Sequence, residues 1–566
     1  MFGFGKAPKD PLVDAKSAER WLASFPGGDP LAVHAEVVAA LGRAADRSTE
    51  RSLPRLAALF HLDTCTKSLR RNLTAQYIEH ANRSSKIENQ LWQALFDLTQ
   101  SFLVCYSGYA HEFAQHGQSS KWRAQLPEYI ARQVAHLGHD AKIRLLRYEP
   151  WIPAKWAELH NLFTSACSQQ VERRPLTLDP ERDPTTIEHQ YLIVLTLHLL
   201  NPGNLTARQL AGIASELHDW CAPLRLTLET SPLACFYVDL ASRSGLRRRG
   251  AQPLEGRVLY LDTRPLHQML LEQHAMVEQK LQHDPMSSKS GRRFEQIGLY
   301  AKLAALADPE FRPFPRRGER APASGEMEAI VGFSRITGFL REEERSPVPE
   351  FEPGHSYGGT MELAVFGHMR NEDALRQQLV RRRFASFGAA GGAWEIKDVS
   401  HSGMRLIAPM DVATTITLGT LCALRASGQS AWALSVVRRM RRLTADRAEV
   451  GLQVIANSLI AVTLLEPSNR GAEGYSVDGE AAQEGGRRFT ALFLALRRRD
   501  GDSSVQSLIV PPAEFQPSRR FRLETPKAAH PIRFGSLLEQ APDWVWAAIE
   551  PIDLAVASAV MPAPSG

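Results

Sequence analysis

At 566 residues the chain is too long for one hydrophobic core and should divide into two to four domains. With 44% hydrophobic and 23% charged residues it has an ordinary globular composition, and a net charge of +5 is too small to mark a dedicated nucleic-acid binder. Its six cysteines (Cys65, Cys105, Cys167, Cys221, Cys235 and Cys422) form no C-x-x-C pair, which argues against a zinc ribbon or redox motif and fits a reducing compartment.

The first half reads as helix. The N-terminal Met1-Phe-Gly-Phe-Gly-Lys-Ala-Pro-Lys9 has no apolar core long enough for a secretory signal. Asp29-Pro30 supplies a cap and a first-turn proline, and Leu31, His34, Val37, Val38 and Leu41 follow at helical spacing. Further helical stretches are expected over residues 50–80, 84–116, 126–146, 154–170, 265–283 and 292–307. Thr185-x-x-Glu188 and Thr206-x-x-Gln209 read as capping boxes on either side of the connection Asn201-Pro-Gly203. The apolar runs Tyr191 to Leu200 and Leu452 to Leu465 are too short to span a membrane, so the sequence points to a cytoplasmic protein without a transmembrane segment.

The texture changes near residues 308–325, where prolines and a charged run suggest a linker. Glu326 to Gly332 then opens β-like sequence, residues 333–341 suggest a short helix, and residues 342–360 read as a loop rich in Glu, Pro and Gly. Leu418 to Arg425, Ala431 to Val437 and Val450 to Val454 read as strands at intervals that suit a small antiparallel barrel. After an acidic, glycine-rich break at 467–486, Phe489 to Leu496, Val505 to Val510 and Arg520 to Leu523 read as more strands. The expected fold is therefore multidomain α and β. An N-terminal all-α domain (1–310) leads through a linker segment (311–375) to a barrel (376–465) and a β-rich extension (466–560).

Within the barrel stretch, Asp398-Val-Ser-His-Ser-Gly403 lies between the alternating runs Trp394 to Lys397 and Met404 to Ile407, the pattern of a hairpin tip. An acid, two hydroxyls and a glycine on one turn can meet a purine edge or a phosphate. Upstream stands the basic run Arg381-Arg382-Arg383, and downstream come Leu418-Gly-Thr-Leu421, Trp432 to Arg438 and Val450-Gly-Leu-Gln-Val454. In this order the segments resemble the PilZ family, whose members bind cyclic di-GMP, although the R-x-x-x-R spacing usual before the first strand does not occur.

The resemblance implies a non-enzymatic receptor. Asp398, Ser400 and Gly403 would contact a guanine, and Arg381, Arg382 or Arg383 would close over the phosphates. The helical half would then pass the signal to a protein partner. The missing R-x-x-x-R supports an alternative, a PilZ-like adaptor that binds protein and no nucleotide. Metal catalysis finds less support. His116 follows His111-Glu112 at i+5 rather than the i+4 that lets two histidines share a metal, and no further ligands can be assigned to His139-Asp140 or His218-Asp219. No metal or cofactor is expected.

Overall fold

The computed structural model describes residues 10–25, 29–46, 48–80, 85–201, 203–230, 234–250, 256–284, 290–310, 321–345, 394–400, 403–409, 416–426, 432–444, 446–457, 459–466, 487–497, 504–524 and 529–552. The chain forms two compact units, Met1–Pro315 and Arg316–Gly566.

The first unit is built from α1 (Ala15–Leu22), α2 (Pro30–Ala45), α3 (Leu53–Cys65), α4 (Lys67–His80), α5 (Ser85–Ser107), α6 (Ala110–His116), α7 (Ser120–Leu145), α8 (Pro153–Ser168), α9 (Ile187–Leu200) and α10 (Ala207–Cys221). Local chemistry sets several of the starts. Asp29 accepts a hydrogen bond from Leu31 N ahead of Pro30, and Thr206 and Gln209 form a reciprocal capping box. The cap of α9 lies one residue later than the sequence pattern suggests. Thr186 accepts from His189 N, while Glu188, nearly buried, accepts from Leu226 N and pairs with Arg173. The long helices α5, α7 and α9 pack in sequence around one core that includes Phe102, Tyr106, Phe163 and Tyr191.

This unit is not purely helical. The short strands β1 (Leu226–Thr227), β2 (Phe236–Asp239), β3 (Arg247–Arg248) and β4 (Val258–Leu261) form an antiparallel sheet in the order β1-β4-β2-β3, followed by α11 (Arg264–His283) and α12 (Ser290–Ala307). Strands of two to four residues leave too little alternation to be read from sequence. The basic run at Arg247 is partly structural, because Arg248 donates to the carbonyls of Asp308 and Pro309 and stacks over Phe236.

The second unit holds two closed six-stranded antiparallel barrels. The first comprises β6 (Glu326–Val331), β7 (Trp394–Ser400), β8 (Gly403–Pro409), β9 (Leu421–Ala426), β10 (Ala433–Arg442) and β11 (Arg447–Ala456). Its ladder runs β7-β6-β9-β10-β11-β8 and closes through β7–β8, with β5 (Ala321–Pro322) added beside β7. The helix α13 (Phe333–Arg345) follows β6. The second barrel comprises β12 (Ile460–Leu465), β13 (Arg488–Arg497), β14 (Ser504–Val510), β15 (Arg520–Glu524), β16 (Ala529–Gln540) and β17 (Val545–Pro551) in the closed order β12-β13-β14-β17-β16-β15.

Period-two patterning explains both interiors. Ala448, Val450 and Leu452 point inward from β11, as do Phe521 and Leu523 from β15 and Val545, Ala547 and Ile549 from β17. Two details differ from the sequence reading. The first barrel takes a strand from residues 326–331, and β12 belongs to the second barrel. Leu418-Gly-Thr is a turn in which Gly419 adopts φ +83°, a conformation that glycine alone enters freely. The barrels share one core, where Ile330, Phe339 and Leu434 meet Leu492, Ile509 and Trp544. Arg438, from the basic run on β10, pairs with Glu539 on β16.

Candidate functional site

β7 and β8 pair antiparallel as far as Ser400 with Gly403. That register sets Asp398 directly opposite Arg405, and it shifts between Asp398 and Ile396. The Asp398 carboxylate is nearly buried and accepts from Arg405 Nε at 2.7 Å, with Nη2 at 2.6 Å from the same oxygen. The Arg405 side chain remains 41% exposed, and its Nη1 lies 3.5 Å from Glu449. Ser400 Oγ donates to the Gly403 carbonyl at 2.9 Å. Gly403 is required by close approach, since a Cβ there would sit 2.5 Å from the Leu452 carbonyl oxygen on β11.

Asp398, Ser400 and Gly403 therefore come together on one hairpin, as the sequence suggests. Arg381, Arg382 and Arg383 lie outside the described residues. Arg405 was not among the sequence candidates, although it lies two residues beyond Gly403 as Asp398 lies two before Ser400, the pair that ends the ladder. A half-exposed guanidinium beside a carboxylate and a hydroxyl can pair with a phosphate oxygen or with the edge of a purine.

The His-Asp pairs have structural partners. Asp140 accepts from Gln100 Nε2 and Trp151 Nε1, both at 2.7 Å, and from Arg144 Nε at 3.2 Å. The His218 carbonyl accepts from His189 Nε2 at 2.8 Å, and burial lowers the pKa of both rings. Glu112 and His116 form a pair at 3.5 Å along α6. Among the described residues, no three His, Cys, Asp or Glu side chains converge as metal ligands.

The helical unit also holds a buried charge network that no sequence motif marks. Asp63 on α3 lies 2.9 Å from Arg132 Nη1 and 3.1 Å from His136 Nε2, and it accepts from Tyr106 Oη at 3.1 Å. Burial alone would raise its pKa, but His136 and Arg132 hold it well below the usual carboxylate range. Arg132 also pairs with Glu128 at 2.7 Å. These side chains come from α3, α5 and α7, elements whose sequences carry no shared motif, so only the packed structure brings them together. The network borders a cavity of about 670 Å³.

A family model described as the N-terminal domain of the cyclic-di-GMP receptor FimW matches residues 16–231, the stretch that holds α1 to α10 and this cavity. Comparison with curated proteins finds no match. No helix among the described residues is long and apolar enough to cross a membrane.

Proposed function

We propose that this chain is a non-catalytic receptor for cyclic di-GMP. It takes the nucleotide at the β7–β8 hairpin of the first barrel and passes the signal to a protein partner through the helical unit, in the cytoplasm. The observation that carries this reading is the match of residues 16–231 to the N-terminal domain of a receptor for that nucleotide. The hairpin supports it chemically. Asp398 and Ser400 offer acceptors for guanine N–H groups, Gly403 allows close approach, and Arg405 adds a partly exposed cation to the charge of Arg381, Arg382 and Arg383.

Calorimetric titration of the full chain with cyclic di-GMP tests the proposal. Charge-assisted phosphate contacts contribute about 1.5–3 kcal/mol each, so replacing Arg382 and Arg383 together by Ala should weaken binding at least roughly tenfold. Asp398→Asn should erode the preference for guanine over adenine dinucleotides. No heat at tens of micromolar nucleotide would remove the receptor reading.

One observation favours a second reading, a barrel that binds protein and no nucleotide. Asp398, Ser400 and Gly403 each serve the hairpin itself, through Arg405, the turn and β11 respectively. Under that reading the three residues are retained for folding, and their substitution would lower barrel stability without touching any nucleotide affinity.

A further inference from the structure

The cavity of the helical unit has two kinds of wall. One is apolar, formed by Ile143 from α7 and by Ile193, Val194 and Leu197 from α9. The other carries Arg70 from α4 and His139 and Lys142 from α7, with Arg182 in the lining. Of the acids in the lining, Asp63 is already engaged by Arg132, His136 and Tyr106, Asp179 faces Lys67 at 3.8 Å, and Glu79 and Asp183 complete the set.

Arg70 is the decisive residue. Its side chain is only 7% exposed, yet Nε and Nη2 have no hydrogen-bond partner. A guanidinium withdrawn from water and left without an acceptor costs several kcal/mol in a finished fold, and such groups are rare in proteins. The charged groups that bear on Lys142 are Arg70 and Arg182, both cations. Burial followed by these two neighbours brings the Lys142 ammonium down to about 8. His139 is held well below its ordinary value by burial, then by Arg70, His136 and Lys142. Seven Lys and Arg side chains line the cavity against four acids, and such a cationic excess around an unpartnered Arg70 describes a site for an anion.

We infer that this cavity binds a small organic anion, its phosphate, sulfonate or carboxylate head on Arg70 and Lys142 and its apolar body against Ile193, Val194 and Leu197. The site lies in a different unit from the hairpin and does not depend on the receptor reading. A lone inorganic anion would leave the apolar wall wet, and an uncharged apolar ligand would leave Arg70 unsatisfied. The two walls together select an amphipathic anion.

The probe for this site is 8-anilinonaphthalene-1-sulfonate, titrated by fluorescence into the full-length protein, with decyl phosphate, decanoate, cyclic di-GMP and inorganic phosphate as competitors. One saturable site should appear, emptied by decyl phosphate or decanoate and at least tenfold less sensitive to inorganic phosphate. Arg70→Met and Lys142→Met should each raise the dissociation constant of the probe at least tenfold, while Arg533→Ala, a surface charge on the second barrel, should leave it unchanged. Arg70→Met should also unfold at the same temperature as the parent or higher, because the buried Nε and Nη2 it removes make no hydrogen bond.

Displacement by cyclic di-GMP that is lost in Arg70→Met but kept in the Arg382 and Arg383 variant would support the cavity and identify its occupant as the nucleotide. Unchanged probe affinity in both methionine variants would overturn the proposal. A lower unfolding temperature for Arg70→Met together with unchanged affinity in Lys142→Met would make Arg70 structural and overturn it as well. Inorganic phosphate competing as well as decyl phosphate would remove the apolar half of the site.

Discussion

The helical unit and the barrel unit treat buried polarity differently. Inside the first lie Asp63, Arg132, His136, Asp140, His160 and Glu188, drawn from four helices and held by hydrogen bonds and ion pairs, together with Arg70 on a fifth. Among the described residues the buried polar groups of the second are fewer, and each buried charge has an ion-pair partner. Arg425 grips Glu328 on the neighbouring strand and stacks over Trp432, Asp398 meets Arg405 across a hairpin, and Glu514 meets Arg487. A barrel satisfies its backbone through the ladder and leaves its interior to apolar side chains. A helical core that imports charges must match each one, and an unmatched one such as Arg70 is conspicuous for that reason.

The sharpest way to break this contrast is Asp63→Ala. It takes the buried carboxylate from Arg132, which keeps only the partly exposed Glu128, and removing one partner of a buried pair costs up to roughly 3–5 kcal/mol. Hydrogen exchange should show the helical unit loosened by that order while the barrels keep their protection. Gly403→Ala attacks the other unit. The added methyl has nowhere to go but into the Leu452 carbonyl, so β8 and β11 must part, at about 1–3 kcal/mol. Denaturant unfolding should report the loss in the barrels alone.

A smaller effect separates the units by pH. Burial keeps His136 and His139 below the ordinary histidine value of 6.5, so as the medium acidifies the unfolded chain takes up protons that the folded unit refuses, and stability falls below about pH 6.5. Lys67 and Lys142, lowered by burial to about 8, act in the alkaline range. Between about 8 and 10.5 the unfolded chain holds more protons, so stability rises with pH across that window. In the barrel unit, His530 is the only histidine among the described residues, and it is exposed. Thermal scans from pH 5 to 10 with exchange readout should show the helical unit following this profile and the barrels lacking its histidine arm. Smallest of all, Arg533→Ala deletes a surface pair with Glu550 in which both side chains are about half exposed. It should change barrel stability by no more than about 1 kcal/mol.

Alternation made strands such as β11 and β15 legible, and Asp398 to Gly403 marked a hairpin, but β16 and β17 went unread and the second barrel was expected only as a β-rich extension. Helix existence was equally plain from caps and periodicity. The breaks within 50–80 and 84–116 were not, since Thr66 and the residues between Ser107 and Ala110 interrupt helices that continue with similar composition. Half of the hairpin site was visible, and Arg405 could have been found by counting back from the turn. The cavity was invisible for a physical reason. Arg70, Lys142 and Asp63 have no common spacing, and what marks Arg70 is that its buried Nε and Nη2 lack acceptors, a property of packing that no linear pattern records.

The common core of the two barrels bears on how such a module can pass between proteins during evolution. A chain ending after Leu465 would retain the hairpin but carry β12 as an orphan strand, and Ile330, Phe339 and Leu434 would lose the cover of Leu492, Ile509 and Trp544. An apolar wall laid bare in that way invites self-association. Gene fusions that borrow the Asp398 hairpin must therefore bring both barrels as one inheritable block, whereas the helical unit, with its own core, is free to be exchanged.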